Sequence, residues 1–263
     1  MESRRDAACQ RVRRQERARV EAASGKVLWA RKVHTDTVMS VAWSPDGTRF
    51  ASGSNDKSVR IWEAASGKAL QAMEEHADRV SSVAWSPDGT RLAGGSGDNS
   101  VHVWEAASGK ALQAMKGHTA GVMSVAWSPD GTRLASGSDD NSVRVWEAAS
   151  GKALTTLWGH VGMVRAASWC SNGRHLVSAG SDGSLRVWDV ATGQCLAVHV
   201  VTPSGAVVFR PRDGRYRIQG GVEGHVWHTI GLARYELGEL DEFVEGLRLA
   251  DDEPLLLPLC EAP

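Results

Sequence analysis

Four histidines, His34, His76, His118 and His160, stand 42 residues apart, and four aspartates, Asp56, Asp98, Asp140 and Asp182, keep the same step. Imidazoles and carboxylates together could hold a metal ion or move a proton. Both tasks need convergence: zinc takes three or four ligands at one point, and a general base must reach the proton it removes. Each of these histidines recurs inside its own unit of sequence, so it cannot meet the other three on one ion. The remaining histidines are His102, His175, His199, His225 and His228; the last two flank Trp227 in an expected strand and lack a third ligand. Cys9, Cys170, Cys195 and Cys260 show no CxxC spacing, which indicates neither zinc nor a disulfide framework. No glycine-rich phosphate loop and no Ser/His/Asp order is present. We expect no metal, no cofactor and no catalytic set, and assign the periodic residues to structure.

The elements that position them repeat with the same step. Tryptophans recur at 43, 85, 127 and 169, and again at 62, 104, 146 and 188. A period of this length marks a stacked array of like units. In the third unit, Val122–Trp127 reads as a strand, and Ser128-Pro129-Asp130-Gly131 as its turn. Proline presets φ there and glycine accepts a positive φ. Arg133–Ser138, Ser142–Trp146 and Lys152–Leu157 read as further strands, separated by Asp139-Asp140-Asn141 and Ala149-Ser150-Gly151. No window sustains helical spacing. Four antiparallel strands form one small sheet, and repetition around an axis buries its faces. The flat indoles suit that inter-sheet core.

These residues resemble the WD40 repeat family. Gly117-His118 and Gly159-His160 match its Gly-His pair, and Trp188-Asp189 its Trp-Asp pair; the other three copies read Trp-Glu, at 62/63, 104/105 and 146/147. The resemblance runs over about residues 22–230 and implies an all-β propeller of four-stranded blades. It also implies a hydrogen-bonded tetrad within each blade. That assigns His34, Ser52, Asp56 and Trp62 to the first; His118, Ser136, Asp140 and Trp146 to the third; and His160, Ser178, Asp182 and Trp188 to the fourth. The second supplies His76, Asp98 and Trp104, but Gly94 stands where a hydroxyl is expected. Gly94→Ser is therefore expected to add a bridge and stabilise by roughly 0.5–1.5 kcal/mol.

Glu21-Ala-Ala-Ser-Gly-Lys-Val-Leu matches Glu63-Ala-Ala-Ser-Gly-Lys-Ala-Leu, so the chain enters the array late in a unit. After four units, Val207–Phe209, Tyr216–Gly220 and His225–His228 read as three strands of a degenerate fifth, without the tetrad and without a last strand. The simplest arithmetic is five blades, closed by residues 26–32 pairing beside 225–228, which removes open edges. We divide the chain into a basic arm (1–22), a propeller (23–230) and an acidic tail (231–263). The first twenty residues hold seven arginines, and residues 236–263 hold nine acids against Arg248. The arm lacks an apolar face for a membrane and reads as solvated, partly helical or disordered. The tail resembles the ending of long bacterial WD40 proteins, some of which join an NTPase or kinase to the array. An NTPase or kinase of the same system is thereby a candidate partner. From Val20, where a tryptophan lane would continue, the start is expected to be a remnant of a longer array.

Overall charge is close to neutral, with 30 basic against 31 acidic residues, and calls for no nucleic acid. No run of 18 apolar residues and no apolar leader occurs. A cytoplasmic protein without membrane contact is expected. The copies differ among themselves mainly after the histidine, at 39/81/123/165, and just before the turn aspartate, at 55/97/139/181. Solvated drift would give that pattern. So would a binding face of loops on a rigid frame, which points to Asp36, Asp78, Arg79, Met123, Met163 and Arg165. The expected function is a non-catalytic scaffold or sensor module for protein partners. The alternatives are an enzyme or small-ligand propeller using the central channel, and a nonfunctional remnant.

Overall fold

The computed structural model describes residues 7–11, 16–21, 27–201, 203, 205–212, 215–220, 227–230 and 233–236, with side chains for 33–201, 203, 205–212 and 215–218. The described residues are all strand and turn. A first sheet joins β1 (Ala7–Arg11), β2 (Glu16–Glu21) and β3 (Val27–Lys32). Three four-stranded antiparallel blades follow: β4 (Val38–Trp43) to β7 (Ala69–Met73) through β5 (Arg49–Ser54) and β6 (Val59–Glu63); β8 (Val80–Trp85) to β11 (Ala111–Lys116) through β9 (Arg91–Ser96) and β10 (Ser100–Glu105); and β12 (Val122–Trp127) to β15 (Ala153–Leu157) through β13 (Arg133–Ser138) and β14 (Val143–Glu147). The fourth blade, β16 (Val164–Trp169), β17 (His175–Gly180), β18 (Ser184–Asp189) and β19 (Cys195–Val201), is extended to six strands by β20 (Gly205–Phe209) and β21 (Tyr216–Gly220). β22 (Trp227–Ile230) pairs with β23 (Ala233–Glu236).

The arm is not a free appendage. The starts of β1, β2 and β3, at 7, 16 and 27, lie within one residue of one repeat ahead of β5, β6 and β7 at 49, 59 and 69. The basic segment thus forms the second and third strands of a further blade whose fourth strand is β3. Its polar composition concealed this, because no tryptophan marks it. β3 takes β2 as its partner; residues 26, 225 and 226, which the expected closure also uses, lie outside the described residues.

Blades are joined by the same latch three times. Ser40, Ser82 and Ser124 Oγ accept the amides of Val83, Val125 and Ala167 in the next blade, each at 3.1 Å. Trp85, Trp127 and Trp169 Nε1 donate back to the carbonyls of Ala42, Ala84 and Ala126. Arg49, Arg91 and Arg133 lie over those indoles at 4.9, 4.6 and 4.6 Å, a cation–π contact. Gly53, Gly95 and Gly137 admit Val80, Val122 and Val164, whose Cγ1 atoms lie 2.6–2.7 Å from where a Cβ would sit. The cores between blades combine these valines with Trp104, Trp146 and Trp188, each at most 1% exposed.

In blade four every latch position has changed: Ala166 for the serine, His175 for the arginine and Ala179 for the glycine. A following blade would find no hydroxyl, no cation and an added methyl. β20, expected to open a fifth blade, instead pairs with the outer strand β19, Val200 opposite Val207. There it covers an edge that would otherwise be open.

Candidate functional site: the loop end of the array

The buried polar network comes first, because it holds the loops. In blade three, Trp146 Nε1 donates to Ser136 Oγ (2.8 Å), Ser136 Oγ lies 2.7 Å from His118 Nε2, and His118 Nδ1 donates to Asp140 Oδ2 (2.8 Å). Blades one and four have the same chain, through Trp62, Ser52, His34 and Asp56, and through Trp188, Ser178, His160 and Asp182. With an ionised aspartate accepting, the histidine is the Nδ1–H tautomer and its Nε2 receives the serine proton. A fifth member escaped the sequence reading. Ser58, Ser100, Ser142 and Ser184 are buried, and each donates to its turn aspartate at 2.5–2.8 Å. The Asp-x-Ser spacing, repeated four times, was the signal.

Burial alone would raise the pKa of these aspartates. Hydrogen bonds from the serines and histidines outweigh it and hold Asp56, Asp98 and Asp140 down to about 2. Burial lowers His102, His118 and His160 below 6.5. Depressed histidines contribute stability that is complete above 6.5 and lost as pH falls below it. Depressed aspartates contribute stability complete above 3.8 and lost on the way to about 2. The urea midpoint should therefore be flat above neutrality, decline below pH 6.5 and fall again below 3.8. A midpoint that rises between pH 7 and 5 would contradict neutral buried histidines.

Blade two is wired differently. Trp104 is turned end over end: its benzo edge lies against Gly94, where a Cβ would be 2.8 Å from Cζ3, and its Nε1 donates to Glu75 Oε2 at 2.9 Å. In blade three the benzo edge faces Gly117 instead, and Arg144 Nη1 crowds the same glycine at 3.2 Å from an ideal Cβ. His102 replaces that arginine in blade two, which opens the space for Glu75. His102 and His76 rings lie 4.4 Å apart, and His76 Nε2 and His102 Nδ1 are buried without hydrogen-bond partners among the described residues. Glu75, Gly94 and His102 are one coupled substitution. The expected gain from Gly94→Ser is thus corrected: the new Cβ strikes a fully buried ring. Alone it should destabilise by about 1–2 kcal/mol. Adding Glu75→Gly and His102→Arg should restore at least about 1 kcal/mol by letting the indole turn back. Stabilisation by Gly94→Ser alone, in urea titration, would disprove the flip.

This framework brings the variable residues to one end. The amides of Asn55, Gly97, Asp139 and Ser181 donate to the carbonyls of Thr37, Arg79, Gly121 and Met163 at 2.8–2.9 Å. Each post-histidine loop is therefore tied to its own hairpin turn. Asp36, Asp78, Arg79, Met163 and Arg165 are exposed there, and Met123 is half-buried. Asp36 and Asp78 accept the amides of Thr37 and Arg79, which fixes them as turn residues as well as surface charges. Arg165 Nη1 stands 3.9 Å from Asp139 Oδ1 of the preceding blade, and its Nη2 3.1 Å from Met163 Sδ. Asn55 Oδ1, Ser81 Oγ and Asp139 Oδ1, all at variable positions, are buried without hydrogen-bond partners among the described residues. Comparison of the copies missed Trp158, and Val161, in the variable stretch after His160, was not among the expected binding residues; they are 62% and 84% exposed on the same connection as Met163. Among the described residues no three His, Cys, Asp or Glu side chains are grouped to hold a metal, and no helix is long and apolar enough to cross a membrane.

The blades, their latches and the tetrads define a repeat protein, and the chain belongs to the WD40 family: the WD domain, G-beta repeat, matches residues 25–63, 67–105, 109–147 and 151–189. A 42-residue stretch is similar to the intraflagellar transport protein 122 homologs of Homo sapiens, at 55% identity, and of Danio rerio and Mus musculus, at 52%. It covers 16% of this chain and 3–4% of those relatives.

Proposed function

We propose that this chain is a non-catalytic scaffold that binds a protein partner through the loop end of its blades, using Asp36, Asp78, Arg79, Met123, Met163 and Arg165. One observation carries the reading. The residues that differ among otherwise near-identical repeats are gathered by backbone hydrogen bonds at one end of a rigid frame, where binding residues are best presented. WD40 membership supports the same reading, since the family is generally one of non-enzymatic interaction platforms. The matched relatives carry transport in their names, which suits a subunit that joins other proteins, although the stretch shared with them is one repeat long. We place the protein in the cytoplasm, with an NTPase or kinase as the partner to try first. Arginine and methionine anchors are enriched at protein interfaces.

The test is capture of partners by the tagged chain, then affinity measurement against the variant with Arg79, Met163 and Arg165 all changed to Ala. Affinity should fall at least about tenfold, the loss of roughly one good contact. The urea midpoint should stay near that of the wild type, because the two arginines and Met163 are exposed. A partner that binds the variant unchanged rejects the face. Turnover of a substrate by the purified protein rejects the scaffold.

A further inference from the structure

The connection from β15 to β16 differs from its counterparts in blades one to three. It presents Trp158, Val161 and Met163, exposed by 62%, 84% and 40%. The matching positions hold Lys116, Thr119 and Gly121 in blade three's connection, and Glu74, Ala77 and Arg79 in blade two's. An indole and two aliphatic side chains in water, clustered on six residues, mark a contact surface more than a solvated loop does. Two arginines from neighbouring strands stand beside the connection. Arg165 is half exposed and touches Met163, and its 3.9 Å approach to Asp139 is too long for a hydrogen bond. Arg186 Nη1 lies under the loop, 2.8 Å from where a Cβ on Gly159 would be. The surface suits a segment that carries apolar side chains and carboxylates together.

The chain itself contains such a segment. Residues 236–249 read Glu-Leu-Gly-Glu-Leu-Asp-Glu-Phe-Val-Glu-Gly-Leu-Arg-Leu, five acids against one arginine. Apolar side chains stand at 237, 240, 243, 244, 247 and 249, and those at 237, 240, 244 and 247 are three to four apart, the spacing of one apolar face. From Gly220, the end of β21, seven residues lead to Trp227, a reach of about 23 Å, and Trp227 pairs with Glu236, where the segment begins. Gly220 lies opposite Gly205 in the sheet that begins with β16, the strand the Trp158–Met163 connection leads into.

We infer that residues 236–249 occupy the Trp158–Arg165 surface in cis and compete there with partners. The inference deepens the loop-end reading and rests on it. Apolar residues of the tail cover Trp158, Val161 and Met163, and its carboxylates face Arg165 and Arg186.

The experiment places photoreactive benzoylphenylalanine at Val161 in the full chain and maps its cross-links by mass spectrometry. Cross-links to residues 236–249 of the same chain are expected. They should fall several-fold when Leu240, Phe243 and Leu247 are changed to Ser, and again when salt screens the charges. Cross-links to residues 1–22 overturn the inference. So do cross-links between isotopically distinct copies, or a yield that ignores the tail substitutions. None of these outcomes bears on partner capture, which is read from an intermolecular complex, so the two proposals fail separately.

Discussion

Asp140→Ala should cost about 3 kcal/mol in urea unfolding, the order expected when one partner of a buried, hydrogen-bonded pair is removed. Asp140 is 4% exposed at its side chain. It accepts His118 Nδ1, the Thr119 amide, and both the amide and hydroxyl of Ser142. The alanine leaves those donors facing protein with no acceptor. Ser136→Ala removes a smaller piece, the bridge between Trp146 Nε1 and His118 Nε2, and should cost about 1–2 kcal/mol. The order of the two variants is the discriminating result. If Ser136→Ala proves equal to or worse than Asp140→Ala, the aspartate is not the hub of the blade.

Gly137→Val should be nearly as damaging, for a steric reason. An ideal Cβ at 137 sits 2.7 Å from Val164 Cγ1 and 3.3 Å from the Val164 carbonyl, which is backbone and cannot swing away. The added side chain pries blade four from blade three, at a cost of about 3 kcal/mol. Val164→Ala, introduced with it, should recover at least about 1 kcal/mol, a coupling typical of residues in contact. The same change at the matching position of blade four, Ala179→Val, should cost less than about 0.5 kcal/mol, as at a surface site. Ala179 is half-buried and meets no latched blade among the described residues. If Ala179→Val costs as much as Gly137→Val, a further blade packs on blade four in the regular register.

Repetition made most of the fold legible. Each strand of blade three lies within one residue of its expected start, because Gly and Pro turns punctuate it at fixed places. The tetrad residues could be named from spacing and resemblance, since four copies in register leave little freedom for a strand to slip. Glu75 and His102 were harder. A copy that departs from its siblings shows where something changed, but whether an indole has turned over depends on which side chain vacates space. Blade two is therefore wired by packing between neighbours distant in sequence. The arm is a related case: its sequence lacks the tryptophans and apolar alternation that announce a blade, yet its strands keep the repeat's spacing.

The sequence by itself determined the unit: strand order, turns, the buried tetrad and the number of regular copies, all properties set within 42 residues by local chemistry. Tertiary structure decided what happens between units. Glycine at 53, 95 and 137 looks like a loose strand residue until the next blade's valine is seen against it. The changes at 166, 175 and 179 look like drift until they are seen to remove one latch together. A pattern along the chain fixes what each residue can do, but only the approach of another backbone fixes which residues must be small, charged or paired. That is why β20 could be recognised as a strand from its sequence, while its place on the outer edge of blade four could not.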